Sequence, residues 1–300
     1  MPTIATALAH AKAQLAREAS PDADALELVS RLLGIGRGDV ARRGGDPFDP
    51  ALEAKLAGWL ERRVAGEPVQ YITGRAAFRD LDLMVSPAVL IPRPETEELV
   101  EAVLRVLDER CGAWPRPRVL DLGTGSGAIA LALAAEHADA VVTATDTSAD
   151  ALAVARANAH ALGLEARLTF AQGHWFEAVD PDDRFEVIAS NPPYIATTEW
   201  DELPRDVKLH EPAQALFSGA SGLDDLREIV DLAPDWLVAG GLLALELAET
   251  RAEEVAAWFE GAHDWEGAEL RDDMSGRPRI LLARRQSGPA IAPRQWAEEG

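Results

Sequence analysis

A doubly wound, mostly parallel α/β sheet behind a helical N-terminal bundle is the fold this sequence predicts, and three observations predict it. From Arg118 onward, short apolar runs alternate with helical patterns, as in parallel strands joined by crossover helices. Gly123-Thr124-Gly125-Ser126-Gly127 closes the first of these runs and opens an alanine-rich helix. Residues 1–68, by contrast, carry apolar residues at helical spacing.

In the first part, Ile4, Leu8, Ala11 and Leu15 form one stripe, and Leu26, Val29 and Leu33 a second that starts at Ser20-Pro21-Asp22. Gly34, Gly36 and Gly38 break the chain before a third stripe, Leu52, Leu56, Trp59, Leu60 and Val64. Together they predict a small bundle over residues 1–68. Val69 to Gly74 and Phe78 to Val85 have strand character, with Leu81, Leu83 and Val85 alternating, so residues 69–92 read as a β-hairpin connector. The prolines of Ile91-Pro92-Arg93-Pro94-Glu95 forbid helix until Glu95, after which a helix runs to about Arg110.

Within residues 93–285 the sheet strands follow in order. Val119 to Asp121 leads into the glycine loop, and Val141 to Thr145 ends at Asp146, with Ser148 capping the next helix. Arg167 to Ala171 is the third strand and Phe185 to Ser190 the fourth. A long irregular stretch to Gly222 follows, of a length usually functional or disordered inside a compact domain. Leu223 to Val238 is a helix and Gly241 to Leu247 the fifth strand; two final strands lie near residues 265–270 and 279–283, one of them antiparallel at the sheet edge. Residues 286–300 read as a loose tail.

Composition narrows the function. Three hundred residues suit about two domains, and 47% apolar residues are ample for a core. The single cysteine, Cys111, excludes a disulfide framework and predicts a reducing, cytoplasmic compartment. No apolar run approaches the roughly 20 residues of a membrane span, and no basic-then-apolar signal pattern opens the chain, so no membrane partner is expected. The net charge of −22 divides into −1 over residues 1–85 and −21 over 86–300. Binding of a polyanion normally uses clustered Lys and Arg, so stable nucleic-acid binding is not expected of the second part. The six histidines lack ligand spacing, which makes a metal site improbable.

The fourth strand ends in Asn191-Pro192-Pro193-Tyr194. The two prolines stop the ladder and stiffen the backbone, fixing a carboxamide, a proline carbonyl and an aromatic ring at the carboxyl edge of the sheet, where ligands bind. The Asn191 oxygen and the Pro192 carbonyl can each accept one N–H of a planar amine, and Tyr194 offers a face. The glycine loop and Asp146 suit a ribose-bearing ligand, though Gly123-x-Gly125-x-x-Ala128 also satisfies a relaxed dinucleotide fingerprint. Trp175-Phe176 either walls an adenine or packs in the core.

The tetrapeptide together with Asp121-Leu122-Gly123-Thr124-Gly125-Ser126-Gly127 resembles the class I, Rossmann-like, S-adenosylmethionine-dependent methyltransferases that act on amino groups. With Pro68-Val69-Gln70-Tyr71, Ile91-Pro92-Arg93-Pro94-Glu95-Thr96-Glu97 and Glu211-Pro212, the chain is similar over nearly its whole length to the HemK/PrmC family of release factor glutamine N5-methyltransferases. The resemblance implies transfer of methyl from S-adenosyl-L-methionine, leaving S-adenosyl-L-homocysteine, to the glutamine of the Gly-Gly-Gln motif of class I peptide-chain release factors, without metal. It implies cofactor contacts from Gly123, Thr124, Gly125, Ser126, Gly127, Asp146, Trp175 and Asn191, and substrate contacts from Asn191, Pro192, Pro193 and Tyr194, of which Asn191, Pro192 and Tyr194 would be catalytic. His174 stands where relatives commonly carry an acid that accepts the adenine amine; neutral imidazole can accept through one nitrogen. A ribosomal-protein glutamine methyltransferase, a nucleic-acid amino-methyltransferase and a non-catalytic cofactor-binding scaffold remain alternatives.

Overall fold

The computed structural model describes residues 2–288, which divide into two compact units. Residues up to 75 and 203–210 make the helical unit. Its helices are α1 (Ile4–Gln14), α2 (Pro21–Leu33), α3 (Arg37–Arg42), α4 (Pro50–Val64), α5 (Val69–Thr73) and, later in the chain, α9 (Arg205–His210). Thr3 and Thr6 form a reciprocal cap at the start of α1, Pro21 and Pro50 open α2 and α4, and Gly34 ends α2 in the left-handed conformation. The core gathers Ile4, Ala11, Leu15, Leu28, Phe48 and Leu60. Two details depart from the sequence pattern. In α2 the buried face is Ala25, Leu28 and Val29, leaving Leu26 and Leu33 at its margin, and Val64 at the end of α4 is exposed.

Residues 69–73 are helical, not extended. The N–H groups of Tyr71 and Ile72 both donate to the Pro68 carbonyl, the Thr73 hydroxyl donates back to the Val69 carbonyl at 2.9 Å, and Gly74 closes the turn at φ 71°. These local bonds, and burial of Val69 and Ile72 in the bundle core, override the strand preference of β-branched and aromatic residues. The hairpin itself is shorter than predicted, with β1 (Arg75–Phe78) paired to β2 (Leu81–Met84) across a tight turn at Arg79.

The second unit holds α6 (Pro94–Glu109), β3 (Arg118–Leu122), α7 (Ala128–Glu136), β4 (Val141–Asp146), α8 (Ala149–Leu162), β5 (Leu168–Gln172), β6 (Phe185–Ser190), α10 (Asp224–Trp236), β7 (Leu237–Glu246), α11 (Ala252–Ala257), β8 (Trp265–Asp272) and β9 (Pro278–Arg285). The strands lie in the order β5-β4-β3-β6-β7-β9-β8. Five are mutually parallel, and β9 runs antiparallel to both its neighbours. The antiparallel strand is therefore one place in from the edge, and β8 forms the edge, which corrects the sequence reading. A doubly wound sheet needs apolar cover on both faces. α6 and α7 contribute Leu99, Val103 and Leu131 to one core, and α10 and α11 contribute Leu226, Ile229 and Val255 to the other. The strand order reverses beside β3, opening a crevice between the carboxyl ends of β3 and β6. The loose tail read from the sequence falls, from residue 289 on, outside the described residues.

Leu120 is fully buried in the middle of β3, an interior strand of the sheet. Leu120→Ala is expected to lower unfolding stability by about 2–5 kcal/mol through lost burial and a residual cavity. Urea denaturation would check it, and a loss below about 1 kcal/mol would contradict the interior placement of β3.

Candidate active site

β3 and β6 pair in parallel with Leu122 opposite Ser190, and the Ser190 hydroxyl donates to the Leu122 carbonyl at 2.7 Å. The glycine loop and the tetrapeptide therefore leave the sheet side by side. The loop is built from within: Gly123, Gly125 and Gly127 all have positive φ, a conformation open to glycine at no steric cost. Thr124 donates from its hydroxyl to Asp121 Oδ2 at 2.6 Å and from its N–H to the Thr145 carbonyl at 2.9 Å. The amide of Asn158 on α8 donates to the Ser126 carbonyl at 2.9 Å and bonds both the N–H and the carbonyl of Met84, tying the loop to β2. Asp121 is fully buried, and burial pushes its carboxyl up to about 7.

A cavity of about 320 Å³ opens beside this loop, within the range of small-ligand pockets. Gly123, Gly125, Asp146, His174, Trp175 and Asn191 line it, joined by Pro193 and, from the loop before α10, Phe217. Asp146 ends β4 with its carboxylate accepting the N–H groups of Gly125 and Ser148, both at 2.9 Å; partial burial nonetheless raises its pKa. The carboxylate still has accepting capacity for a ligand hydroxyl. Trp175 sits at φ 41°, unusual for a large residue, and donates from its indole to Asp225 Oδ1 at 3.2 Å. The His174 ring lies 5.4 Å from that of Trp175 and its Nε2 is 3.2 Å from Glu228 Oε2.

On the other wall, Asn191 Nδ2 donates to Thr96 Oγ1 at 3.1 Å, while Asn191 Oδ1 is buried with no hydrogen-bond partner among the described residues. Such an orphaned acceptor is rare unless a ligand completes it. Thr96 belongs to the first turn of α6 and donates to Glu246 Oε2 at 2.7 Å; Tyr194 donates to the other oxygen at 3.3 Å. Glu246 ends β7, is 1% exposed, and burial pushes its carboxyl up to about 7. Burial and the nearby Glu246 charge raise the Tyr194 phenol, keeping it protonated. Beyond the tetrapeptide, Ile195 and Phe217 form a bridge that folds the irregular stretch back over it, and Gly222 packs its α-carbon against this turn.

The structure thus brings five of the eight expected cofactor residues to the cavity: Gly123, Gly125, Asp146, Trp175 and Asn191. Thr124, Ser126 and Gly127 do not line it; their bonds run into the loop and to the start of α7. Of the expected substrate residues, Asn191 and Pro193 line it, Pro192 is buried, and the Tyr194 ring packs on the core behind. Sequence reasoning missed Thr96 and Glu246 as parts of the site. Thr96 lies inside the Ile91–Glu97 run that carries the resemblance, where it was given no role, and the signal for Glu246 was an acid ending an otherwise apolar strand, Leu242 to Glu246.

The chain is 39% identical over 275 residues to the release factor glutamine methyltransferase of Rhodospirillum rubrum, covering 91% of this chain and 82% of that protein. It is 40% identical over 283 residues to the protein of the same name in Deinococcus radiodurans, covering 94% and 98%. The chain belongs to the release factor glutamine methyltransferase family. Two family models match within it, the PrmC N-terminal domain at residues 6–74 and the methyltransferase small domain at 99–219. The latter spans the glycine loop, Asp146 and the tetrapeptide. Among solved structures, the catalytic domain of human METTL16 shares the fold with a TM-score of 0.54 at 13% identity, covering 82% of this chain and 84% of that one. No helix among the described residues is long and apolar enough to cross a membrane, and no group of three or more metal-ligating side chains is found among them.

For a methyltransferase of this family, the turn over the tetrapeptide has a sensitive point. A Cβ at Gly222, whose φ is 78°, would lie 2.6 Å from the Tyr194 carbonyl oxygen and 2.9 Å from the Ala196 nitrogen. Gly222→Ala is therefore expected to displace the tetrapeptide, lowering turnover roughly tenfold or more while costing about 1–3 kcal/mol of stability. Paired activity and denaturation measurements check this, and wild-type turnover in the variant would contradict it.

Proposed function

We propose that this protein transfers a methyl group from S-adenosylmethionine to the side-chain amide nitrogen of the glutamine in the Gly-Gly-Gln loop of class I peptide-chain release factors. The observation that carries the reading is the buried, unpartnered Asn191 Oδ1 on a cavity that the glycine loop also lines. The residues fit the donor: Gly123 and Gly125 allow close backbone approach, Asp146 offers acceptors to ribose hydroxyls, and Trp175 with His174 offers ring surface to an adenine. When bound, S-adenosylmethionine supplies an electrophilic methyl on a sulfonium leaving group.

The chain's own residues then act by position. An amide nitrogen is a poor nucleophile because its lone pair is delocalised into the carbonyl. Asn191 Oδ1 accepts one N–H of the glutamine amide and the Pro192 carbonyl the other, holding the nitrogen with its lone pair free to point out of the amide plane. Tyr194, fixed by Glu246, buttresses the tetrapeptide from the core side. The proton released as the N–C bond forms is acidic enough to pass to water without a dedicated base. Residues 1–68 are proposed to dock the folded factor, 69–92 to connect, and 93–285 to carry the transfer. A nucleic-acid amine as acceptor would require phosphates to approach a part of the chain bearing −21 charges.

Asp146→Ala is expected to weaken S-adenosylmethionine binding by about 1–3 kcal/mol, through lost charge-assisted bonds to hydroxyls. Unchanged affinity in calorimetry would remove Asp146 from the donor site. Asn191→Ala should fold normally and lose nearly all transfer, and near wild-type turnover would exclude Asn191 as the acceptor of the substrate N–H. The substrate is tested by labelled methyl transfer to purified release factor, its loop Gln→Ala variant, a loop peptide and DNA. Folded factor should be labelled best, because remote docking supplies binding energy the peptide lacks. Efficient labelling of DNA, or undiminished labelling of the Gln→Ala factor, would overturn the assignment.

A further inference from the structure

An asparagine can receive an N–H only if its amide is held the right way round, and its oxygen and nitrogen differ too little in shape for packing to decide. We propose that Glu246, which does not line the cavity, is the positioning residue that decides it, acting through Thr96; the inference rests on the function proposed above. Thr96 has one hydroxyl proton. An ionised carboxylate can only accept, so with Glu246 Oε2 at 2.7 Å that proton is committed to Glu246. Thr96 Oγ1 then presents lone pairs to Asn191 and must be met by Nδ2, the 3.1 Å bond observed. The amide oxygen is thereby turned to the opposite side, where it stands buried and without a protein partner among the described residues. The second oxygen of the same carboxylate receives Tyr194 at 3.3 Å, so one acid orients both polar side chains of the tetrapeptide.

Protonating Glu246 reverses the chain. The carboxyl becomes a donor to Thr96 Oγ1, the Thr96 proton turns to Asn191, and the amide rotates to offer Oδ1 to Thr96 and its NH2 to the substrate. Two donors then face each other and the acceptor site is lost. The charged neighbours pull both ways: Arg279 on β9 favours the ionised acid and Glu95 on α6 disfavours it, while the Thr96 and Tyr194 bonds favour ionisation and burial opposes it most strongly. Arg93 and Arg279 also face Tyr194. The acid titrates at about 7, so the oriented state is present above that pH and is lost as pH falls through it.

The test measures kcat and KM for release factor between about pH 5.5 and 9 in wild type, Glu246→Gln, Thr96→Val and Thr96→Ser. Wild-type kcat should fall on the acid side, and that limb should be missing in Glu246→Gln, which cannot titrate, whatever its plateau. Thr96→Val keeps the shape without the hydroxyl and should lose roughly 10- to 100-fold in kcat with donor affinity unchanged; Thr96→Ser keeps the hydroxyl and should stay within about threefold of wild type. A role in packing alone gives the opposite order, Val above Ser, and would overturn the proposal, as would an acid limb with the same midpoint in Glu246→Gln. If that variant fails to fold, the Thr96 pair decides. Heteronuclear NMR of the Asn191 side-chain amide gives a reading that needs no acceptor protein. Its NH2 should be protected from exchange above the transition and lose protection below it. Lack of transfer to release factor with that transition intact would reject the function and keep the positioning role, and an NH2 unprotected at all pH would reject the positioning role.

Discussion

Leu122 and Ser190 lie opposite each other where β3 and β6 end, and the serine hydroxyl reaches the leucine carbonyl as the last tie between the two strands. Everything functional follows from that register. Side chains along a strand alternate with a period of two, so a slip of one residue would move Asn191 away from Thr96 and turn Val187 and Ile188 to the wrong cores. Because both faces of the sheet are covered by separate apolar clusters, such a slip would invert two cores at once. Val119, Leu120 and Leu122 on β3 and Val187, Ile188 and Ala189 on β6 are all buried for this reason, and the crevice inherits its precision from packing far below it.

Two buried carboxylates flank the crevice, Asp121 under the glycine loop and Glu246 behind the tetrapeptide. Burial raises both, and specific hydroxyl donors oppose the rise: Thr124 for the first and Thr96 for the second. Each acid is placed at the carboxyl end of its strand, so each organises one of the two loops that meet at the cavity. Polar groups this deep are costly unless bonded, which makes their partners as constrained as the acids themselves. The rigid part of the site is therefore not its surface lining but this layer behind it.

Much of this was legible in the residues. The alternation after Arg118 gave the parallel strands, the glycine spacing gave the turn into α7, and the two prolines marked where β6 stops. What failed has physical causes. Residues 69–73 look extended because Val, Tyr, Ile and Thr favour strands, yet the Pro68 carbonyl and Gly74 close a helical turn around them. Thr124, Ser126 and Gly127 sit in the signature but do not line the cavity. The glycine-rich turn has only two side chains, and the Thr124 hydroxyl bonds back to Asp121, so the turn meets the cavity at Gly123 and Gly125. Thr96 and Glu246 are 150 positions apart and share a hydrogen bond. No local pattern encodes that pair; only the closing of α6 over the end of β7 does.

The placement of β9 one strand in from the margin leaves β8 as the exposed border of a seven-stranded sheet. An open border of unpaired amides is a template for another molecule's strand, and here it is blunted in three ways. The ladder with β9 is interrupted between Trp265 and Ala268 and again at Arg271 and Asp272. Gly267 adopts φ 125° in the first interruption, bending the backbone out of plane. Glu269 and Arg271 put charge along the rest. A foreign strand would meet a bent, charged ribbon that offers no long flat run of donors and acceptors, so the hairpin that completes the sheet also stops its growth.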